Sequence, residues 1–367
     1  MKITHVEVHR IDVPPADPPF SWRQGLSGSA PTGDGAVLRI GTDEGAEGVA
    51  VFARPGAAVT LRDLVDRVFR EELVGADPFQ REWLWHRVWE LDRIHELPLP
   101  TLGLVDIALW DLAGRVHGQP VWRLLGGFRD AIPAYASTAT FATTEEFLDV
   151  ADQCLALGYR GIKLHAWGDA RRDAELCQAL RAHVGPDVPL MYDGSAGFDL
   201  PDAIFLGKAL GEAGYLWYEE PMREFSISAY QRLAESVAVP LLVAETSDGV
   251  HMNSADFIKA GAATFGVRTG TTLRGGITGA MRTAHVADAF RVRAEVHGSD
   301  LPNHHLCMAI SNTTYYESLV TATRVVRERH VDDQGLVRAP TGPGIALPLD
   351  YGYGPELRRF VEQPRRA

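Results

Sequence analysis

The sequence predicts an α/β protein in which a (β/α) barrel follows an N-terminal region of antiparallel strands and helices. From about Ile132 onward, short apolar strands alternate with amphipathic helices in seven or eight repeats, a pattern typical of a (β/α) barrel. Three of these strands end in acid, at Asp193, Glu219 and Glu245, each 26 residues from the next. Equal steps of this length suit successive strand–helix units. A doubly wound parallel sheet is the alternative architecture.

The N-terminal region is predicted to be an α+β unit. Residues 3–13 and 36–52 alternate as antiparallel strands do, and the second range turns as a hairpin at 43–45. Apolar residues at helical spacing follow, and Gly118 with Pro120 breaks the last apolar segment into two helices.

These patterns divide the chain into three parts. Residues 1–126 form the N-terminal α+β domain, and residues 127–325 form the barrel. The remaining segment, 326–367, has turn residues but no further strand–helix repeat. We expect it to pack back on the N-terminal domain and so connect the two domains.

Composition narrows the class of partner. The net charge is −12, from 48 acidic and 36 basic residues, which argues against nucleic acid as a partner because phosphate binding needs basic patches. No run approaches ~20 apolar residues, so no membrane span is expected. Cys154, Cys177 and Cys307 lack metal or disulfide spacing. We therefore expect buried thiols and a cytoplasmic protein.

A long loop rich in Pro, Gly and Ser lies between the first two strands. It carries Trp22 and Arg23, and a loop of this length in a compact domain is usually functional or disordered. We predict a lid that touches a polar substrate, with a flexible connector as the alternative. A second Gly/Pro segment at 53–56 brings Arg54 to the same lid.

The three spaced acids predict a metal site. Reacting groups of a parallel barrel stand at the C-terminal ends of its strands, so Asp193, Glu219 and Glu245 should converge there. Carboxylate oxygens are the ligands that Mg²⁺ prefers. Because neighbours on a strand point to opposite faces, only one of Glu219 and Glu220 should face inward, and Glu219 is chosen. The alternative for any single acid is a helix cap or a surface charge.

The other strand ends supply candidate catalytic and binding groups. Lys163 and His165 are two residues apart on the second strand and should share a face. Arg268 and Thr269 lie at the end of the sixth strand, His297 ends the seventh, and Glu317 lies on the eighth. Lys163 could instead be a surface lysine, and His304 or His305 could replace His297 as the functional histidine.

On these residues the chain resembles the enolase superfamily, and within it the mandelate racemase-like subgroup. The similarity covers nearly the whole chain. The matching segments are DIALWDLAGRVHGQPVWRLLGG before the barrel, IKLH on the second strand, the acid triplet with EEP, GGITGAMRTAHVADAF, His297, YYE at Glu317 and PGIALPLD.

The resemblance implies a fold and a chemistry. It implies a modified (β/α)₇β TIM-type barrel under an N-terminal α+β capping domain, and one Mg²⁺ per subunit on the three acids. It also implies a small-molecule carboxylate substrate that loses its α-proton. Lys163 and His165 would then hold the basic positions of strand two, His297 the opposing base, and Glu317 a donor or clamp beside the substrate carboxylate. A homo-oligomer, a dimer or an octamer, is expected on the same ground.

The chain departs from that pattern twice. The subgroup often has lysine where this chain has His165. It also places an aspartate on strand six to orient the strand-seven histidine, whereas this chain has Gly270, with Arg268 nearby. Glu295, two residues before His297, is a candidate substitute.

We therefore expect a Mg²⁺-dependent dehydratase that converts an acid sugar or related hydroxy acid to a 2-keto-3-deoxy acid. His165 would act as general acid on the leaving hydroxyl. Trp22, Arg23 and Arg54 suit a polyhydroxy acid better than an aromatic one. Racemisation or epimerisation of a 2-hydroxy acid is the first alternative, and a non-catalytic ligand-binding barrel is the second.

Overall fold

The computed structural model describes residues 1–13, 15–29, 33–52, 57–95, 97 and 99–346. Arg54, which we assigned to the lid, lies outside these residues. So does the part of the C-terminal segment that follows residue 346.

The N-terminal region contains two small antiparallel sheets. Its strands are β1 (Ile3–Val13), β2 (Ser21–Arg23), β3 (Leu26–Ser27), β4 (Gly33–Thr42) and β5 (Glu47–Phe52). The first sheet has the order β1-β4-β5, and β2 pairs with β3 in a separate ribbon. The predicted hairpin is confirmed, and its turn includes Gly45, whose φ is 76°. The ribbon occupies the segment predicted to be a lid.

Helices cover one face of the larger sheet. They are α1 (Ala57–Leu64), which continues through a π-helical turn (Val65–Phe69) into α2 (Arg70–Leu73), then α3 (Arg81–His95), α4 (Leu99–Val116) and α5 (Val121–Leu124). The break between α4 and α5 falls at Gly118 and Pro120, as predicted, because Gly118 has a φ of 61° and Pro120 precedes the first turn of α5.

Two buried aspartates on α4 attach it to its neighbours. Asp111 accepts hydrogen bonds from the Val49 N–H (2.9 Å), the Ile345 N–H (2.8 Å) and the Arg115 Nε (2.7 Å). Asp106 accepts from the N–H (2.9 Å) and hydroxyl (2.6 Å) of Thr278. Both therefore bond backbone groups, and their role is structural.

The second region is a parallel sheet of eight strands, each but the last followed by a helix. The strands are β6 (Ala131–Thr138), β7 (Ile162–His165), β8 (Leu190–Asp193), β9 (Trp217–Glu219), β10 (Leu241–Val243), β11 (Gly266–Thr269), β12 (Arg293–Val296) and β13 (Tyr316–Val320). The helices are α6 (Thr144–Ala156), α7 (Ala170–Val184), α8 (Leu200–Glu212), α9 (Ile227–Ser236), α10 (Val250–Lys259), α11 (Gly276–Ala289) and α12 (Leu301–Ala309).

Strand order confirms the modified (β/α)₇β barrel. Strands β6 to β12 pair in sequence order, and β13 pairs in parallel with β6, so the last strand returns to the first. Between β12 and the residues that lead into β13, the contacts include the Ala294 N–H, which donates to the Asn312 carbonyl, and Glu295, which accepts hydrogen bonds from Thr313 and Thr314. Cys154, Cys177 and Cys307 are buried free thiols inside this domain, as expected.

The barrel helices begin at residues other than the three predicted metal ligands. Thr143 and Glu146 form a capping box for α6, and the side chains of Asp199 and Ser226 cap α8 and α9. Gly249 precedes α10 without a side-chain cap. The alternative that Asp193, Glu219 and Glu245 are helix caps is therefore wrong.

The described part of the C-terminal segment contacts both regions. A last strand, β14 (Leu336–Arg338), pairs antiparallel with the start of β6. Beyond it, the Val121 N–H donates to the Gly344 carbonyl at 3.0 Å, and the Gly344 N–H donates to Gln119 at 3.0 Å. The boundary predicted at residue 126 falls between α5 and β6. Among the described residues, no helix is long and apolar enough to cross a membrane.

Gly335 offers a test of how the turn before β14 is built. Its φ is 72°, and a Cβ there would stand 1.8 Å from the Gly158 carbonyl oxygen. We expect Gly335→Ala to lower the free energy of unfolding by about 2–4 kcal/mol, through left-handed strain plus a backbone clash. Gly45→Ala is the control, because Gly45 has a φ of 76° with open space around it, and should cost about 1 kcal/mol. Urea denaturation of both variants measures the difference, and equal losses would contradict the close approach.

Candidate active site

Three carboxylates meet at the C-terminal ends of neighbouring strands. Asp193 and Glu219 end β8 and β9 and stand opposite each other in the parallel ladder. Glu245 follows β10 after Ala244, whose φ of 66° ends the strand. One ligand oxygen of each of the three lies within 4.8 Å of the others, and all three side chains are buried. The equal sequence spacing therefore does bring the acids to one point.

Glu220 differs from expectation. Alternation along β9 should have turned it away from the site, yet it is buried beside the cluster. The strand ends at Glu219, and Glu220 has a φ of 23°, so the alternation no longer applies to it. Burial raises the pKa of Glu220 well above its usual range, and the nearby charges of Asp193 and Glu224 raise it further.

Lys163 is a buried cation among the acids. Its Nζ lies 2.9 Å from Asp193 Oδ2, 3.0 Å from Glu219 Oε2 and 2.9 Å from Glu317 Oε1. Burial opposes its charge, but Glu219 and Glu317 hold the pKa of Lys163 well above its usual range. The alternative of a surface lysine is therefore wrong, since only 1% of the side chain is exposed.

Arg268 is buried against the acids, and its hydrogen bonds go to other protein groups. Its Nε donates to Glu219 Oε1, its Nη1 to the Val296 carbonyl (2.9 Å), and its Nη2 to the Tyr135 hydroxyl (2.9 Å) and to Glu317 Oε2 (3.5 Å). Only 1% of Arg268 is exposed. All three guanidinium nitrogens thus donate to protein acceptors, which corrects the expectation that Arg268 binds substrate. It holds Glu219 and Glu317 in place instead.

His165 is held so that one ring nitrogen faces the acids. Its Nδ1 lies 2.8 Å from the Thr138 carbonyl, which can only accept, so Nδ1 carries a proton. Its Nε2 then points at Asp193 Oδ2, 3.1 Å away. The ring of Trp22 covers the imidazole, with centroids 4.6 Å apart at an interplanar angle of 45°.

The β2–β3 ribbon is fastened to the barrel rim. The Thr140 N–H donates to the Ser21 carbonyl at 2.8 Å, and the Gln24 N–H donates to Trp167 at 3.1 Å. The Arg23 Nε donates to the Ser195 carbonyl at 3.0 Å, in the loop after β8. Trp22 therefore reaches a site residue, whereas Arg23 anchors the ribbon to main-chain oxygens.

His297 stands at the other end of the acid cluster. Its Nε2 is 3.2 Å from Glu245 Oε1, and 31% of its side chain is exposed. Desolvation lowers the pKa of His297 to about 4, with Arg268 acting in the same direction and Glu317 against it. His165 and His297 thus contact the acids from strand two and strand seven respectively.

Neither proposed substitute near His297 takes the expected role. Within the described residues, the hydrogen bonds of Glu295 go to Thr313 and Thr314, so it does not orient His297. His304 and His305 lie on α12 and bond the Arg338 carbonyl and the Trp122 N–H. Those two histidines hold the C-terminal segment and α5, so the alternative that one of them replaces His297 is wrong.

Sequence analysis missed three supporting residues. Glu224 accepts hydrogen bonds from the N–H groups of Ala244 and Thr246, on either side of Glu245. Tyr135 bonds Arg268 from strand one, and inward alternation along that strand could have suggested it. Asn303 bonds the loops after β11 and β12, and nothing in the sequence marks it.

The acid cluster fits a hard divalent cation. Within the described part of the chain, Oε2 of Glu245 and Oε2 of Glu220 are buried without a hydrogen-bond partner. Burial raises the pKa of Glu245 well above its usual range, and repulsion from Glu220 and Glu219 adds to the effect. A cation bound by oxygen ligands would relieve that repulsion and occupy the unpaired oxygen.

Comparison with known proteins identifies the family. The mandelate racemase / muconate lactonizing enzyme N-terminal domain matches residues 6–126, and the enolase C-terminal domain-like family matches residues 146–352. The chain belongs to the mandelate racemase / muconate lactonizing enzyme family of the enolase superfamily.

Its relatives are dehydratases and cycloisomerases. A 3,6-anhydro-alpha-L-galactonate cycloisomerase of Streptomyces coelicolor is 29% identical over 86% of this chain and 89% of that relative. An arabinonate dehydratase of Saccharolobus solfataricus is 23% identical over 88% of this chain and 90% of that relative. The crystal structure of D-glucarate dehydratase from Agrobacterium tumefaciens complexed with magnesium is 33% identical, with a TM-score of 0.85. The match covers 96% of this chain and 98% of the other. The protein is an enzyme, a lyase or an isomerase.

The position of Arg268 predicts a large stability effect. We expect Arg268→Met to lower the free energy of unfolding by about 3–5 kcal/mol, because it removes one of the two buried cations that Glu219 and Glu317 share and leaves them Lys163 alone. Arg67→Met is the control, since Arg67 is 74% exposed and pairs with Asp63 on the surface, and it should change the free energy by less than about 1 kcal/mol. Urea denaturation in chelator-containing buffer compares them. Similar small changes would mean that Arg268 is not needed to balance the acids.

Proposed function

We propose that this enzyme is a Mg²⁺-dependent dehydratase that converts an acid sugar or related hydroxy acid to a 2-keto-3-deoxy acid. One observation carries the proposal. The Nε2 atoms of His165 and His297 contact the acid cluster at its two ends, 3.1 Å from Asp193 and 3.2 Å from Glu245. A dehydratase removes the α-proton and protonates the leaving hydroxyl. It therefore needs two proton-transfer groups, one for each step, around the site that binds the substrate carboxylate.

Asp193, Glu219 and Glu245 would hold the ion. When bound, Mg²⁺ supplies a Lewis acid that stabilises the negative charge developing on the substrate carboxylate. Lys163 adds a fixed positive charge at the same place, because its Nζ lies between Asp193, Glu219 and Glu317. These residues serve the step that dehydratases and racemases have in common, loss of the α-proton.

His297 and His165 then divide the remaining work. His297 takes the α-proton at Nε2, the nitrogen that faces Glu245. His165 donates a proton from Nε2 to the β-hydroxyl, the Cβ–O bond breaks, and water leaves. The enol that remains tautomerises to the 2-keto-3-deoxy acid. The hydrogen bond from His165 Nδ1 to Thr138 supports this role, since it leaves Nε2 as the nitrogen that exchanges protons.

The substrate class is supported by the relatives. D-glucarate and arabinonate, named for two of them, are polyhydroxy carboxylates, and a hydroxyl next to the acidic carbon is what elimination requires. The cycloisomerase relative keeps a second class of reaction open, an isomerisation. Histidines at both ends of the acid cluster would serve racemisation or epimerisation of a 2-hydroxy acid as well.

A panel of acid sugars with Mg²⁺ tests the proposal. We expect at least one to give a keto acid, detected as its semicarbazone, and we expect the reaction to stop when the ion is chelated. If no keto acid forms but the α-proton exchanges in deuterium oxide, the enzyme is a racemase or epimerase. If no acid exchanges while Mg²⁺ still binds by calorimetry, the barrel is non-catalytic and the proposal is wrong.

Mutation of each histidine should affect a different set of steps. We expect His165→Asn to slow dehydration about 10²–10⁴-fold while α-proton exchange continues, because only expulsion of the hydroxyl needs a general acid. His297→Asn should abolish both, since it removes the base. Parallel keto-acid assays and exchange followed by NMR measure the two rates. Loss of exchange in His165→Asn with retention in His297→Asn would reverse the assignment.

The ribbon predicts a smaller effect. We expect Trp22→Ala to lower kcat/KM about tenfold, because an aromatic contact is worth about 0.5–1.5 kcal/mol and Trp22 packs on His165. Trp22→Phe should retain most of the activity. Trp83→Ala is the control, as Trp83 is 52% exposed on α3, away from the site. Equal activity of Trp22→Ala and Trp83→Ala would show that the contact does not matter for turnover.

A further inference from the structure

We infer that Asn303 is the positioning residue of His297 and that it acts through the main chain, from α12, in place of the strand-six aspartate that the resemblance to the mandelate racemase-like subgroup led us to expect. The inference rests on the proposed role of His297 as the base. It concerns how this chain holds that histidine without a strand-six aspartate.

Asn303 fills the space next to Gly270. A Cβ at position 270 would lie 3.2 Å from the His297 carbonyl oxygen, 3.6 Å from His297 Cβ and 3.7 Å from Asn303 Oδ1. A side chain on strand six would therefore enter the region that Asn303 now occupies. Gly270 and Asn303 are complementary, since the first leaves room for the second.

The amide of Asn303 bridges the two loops that flank His297. Its Nδ2 donates to the His297 carbonyl at 2.6 Å, and its Oδ1 accepts from the Thr271 N–H at 2.8 Å. Asp300 accepts the Asn303 N–H at 2.8 Å, which fixes the first turn of α12. Only 2% of Asn303 is exposed, so water does not compete for these bonds.

These bonds determine where the histidine backbone sits. The His297 N–H donates to Thr269 at 2.7 Å, so with Asn303 both polar main-chain groups of His297 are engaged. The next residue, Gly298, has a φ of 87° and donates its N–H to Glu317 Oε2 at 2.8 Å. Releasing the His297 carbonyl would therefore disturb the histidine and a hydrogen bond to Glu317 together.

The imidazole itself is left without a carboxylate from strand six. Asn303 is neutral and binds the peptide group, so it sets the position of the ring without adding a negative charge beside it. An aspartate at position 270 would add a negative charge there, and its Cβ would lie 3.7 Å from the acceptor Oδ1 of Asn303. Because position 270 and Asn303 lie next to the same His297 carbonyl, we expect a single exchange at either position to be harmful.

Asn303→Ala tests the inference. We expect kcat for dehydration and the rate of α-proton exchange to fall together by about 10- to 100-fold, with KM changed less than about threefold, because the base is displaced while Lys163 and Arg268 still hold Glu317. Asn312→Ala is the matched control, since Asn312 also bonds main-chain carbonyls, those of Ala284 and Val292, but away from His297. The control should keep kcat within about twofold.

A rescue variant and an exchange measurement complete the test. Gly270→Asp combined with Asn303→Ala should recover at least part of the kcat that Asn303→Ala loses, whereas Gly270→Asp alone should lower kcat. Amide hydrogen exchange over residues 296–300 should rise in Asn303→Ala and not in Asn312→Ala. Unchanged exchange there, or a kcat loss equal to that of the control, overturns the inference. Raised exchange in an enzyme that acts on no acid would support the inference and reject the proposed function.

Discussion

Buried charge is the constraint on which the barrel depends. Asp193, Glu219, Glu245 and Glu317 are withdrawn from water around Lys163 and Arg268. Separating these charges from solvent is costly unless each finds a partner, so the strands that carry them must keep their register. The same arrangement leaves oxygens of the acids unpaired, and a bound cation would complete it. Fold and chemistry therefore share one set of side chains.

Those side chains differ in how far the sequence could predict them. The three spaced acids, Lys163 and His165 follow from strand periodicity, since each ends or lies near the end of an apolar strand. The burial of Glu220 was not predicted, because its positive φ takes it out of the strand and out of the alternation on which the prediction rested. Arg268 was placed on the right strand but in the wrong role, as a side chain's partners depend on what the opposite strands supply. Spacing along the chain predicts where a residue lies on its strand, but it does not predict which groups its side chain contacts inside the barrel.

Helix α12 illustrates a second limit. Asn303 and His304 are neighbours in sequence, yet one bonds the loop at His297 and the other bonds the Arg338 carbonyl near the C-terminal end. Their roles depend on which face of the helix meets which loop, and the loop lengths set that. The departure at Gly270 was visible in the sequence, but its counterpart lies 33 residues later and becomes apparent only when α12 is folded against β11.

The return of the C-terminal segment has a consequence for synthesis. Strand β14 pairs with β6 about 200 residues earlier, and Ile345 completes the hydrogen bonds of Asp111 on α4. Contacts so distant along the chain are slow to form, and domains usually fold from the N-terminus as they leave the ribosome. Here the first domain remains incomplete until Ile345, which follows the barrel in sequence, has emerged. For that interval the buried Asp111 carboxylate has its bonds from Val49 and Arg115 but lacks the one from Ile345, so the first domain reaches its final hydrogen bonding only after the barrel strands have been made.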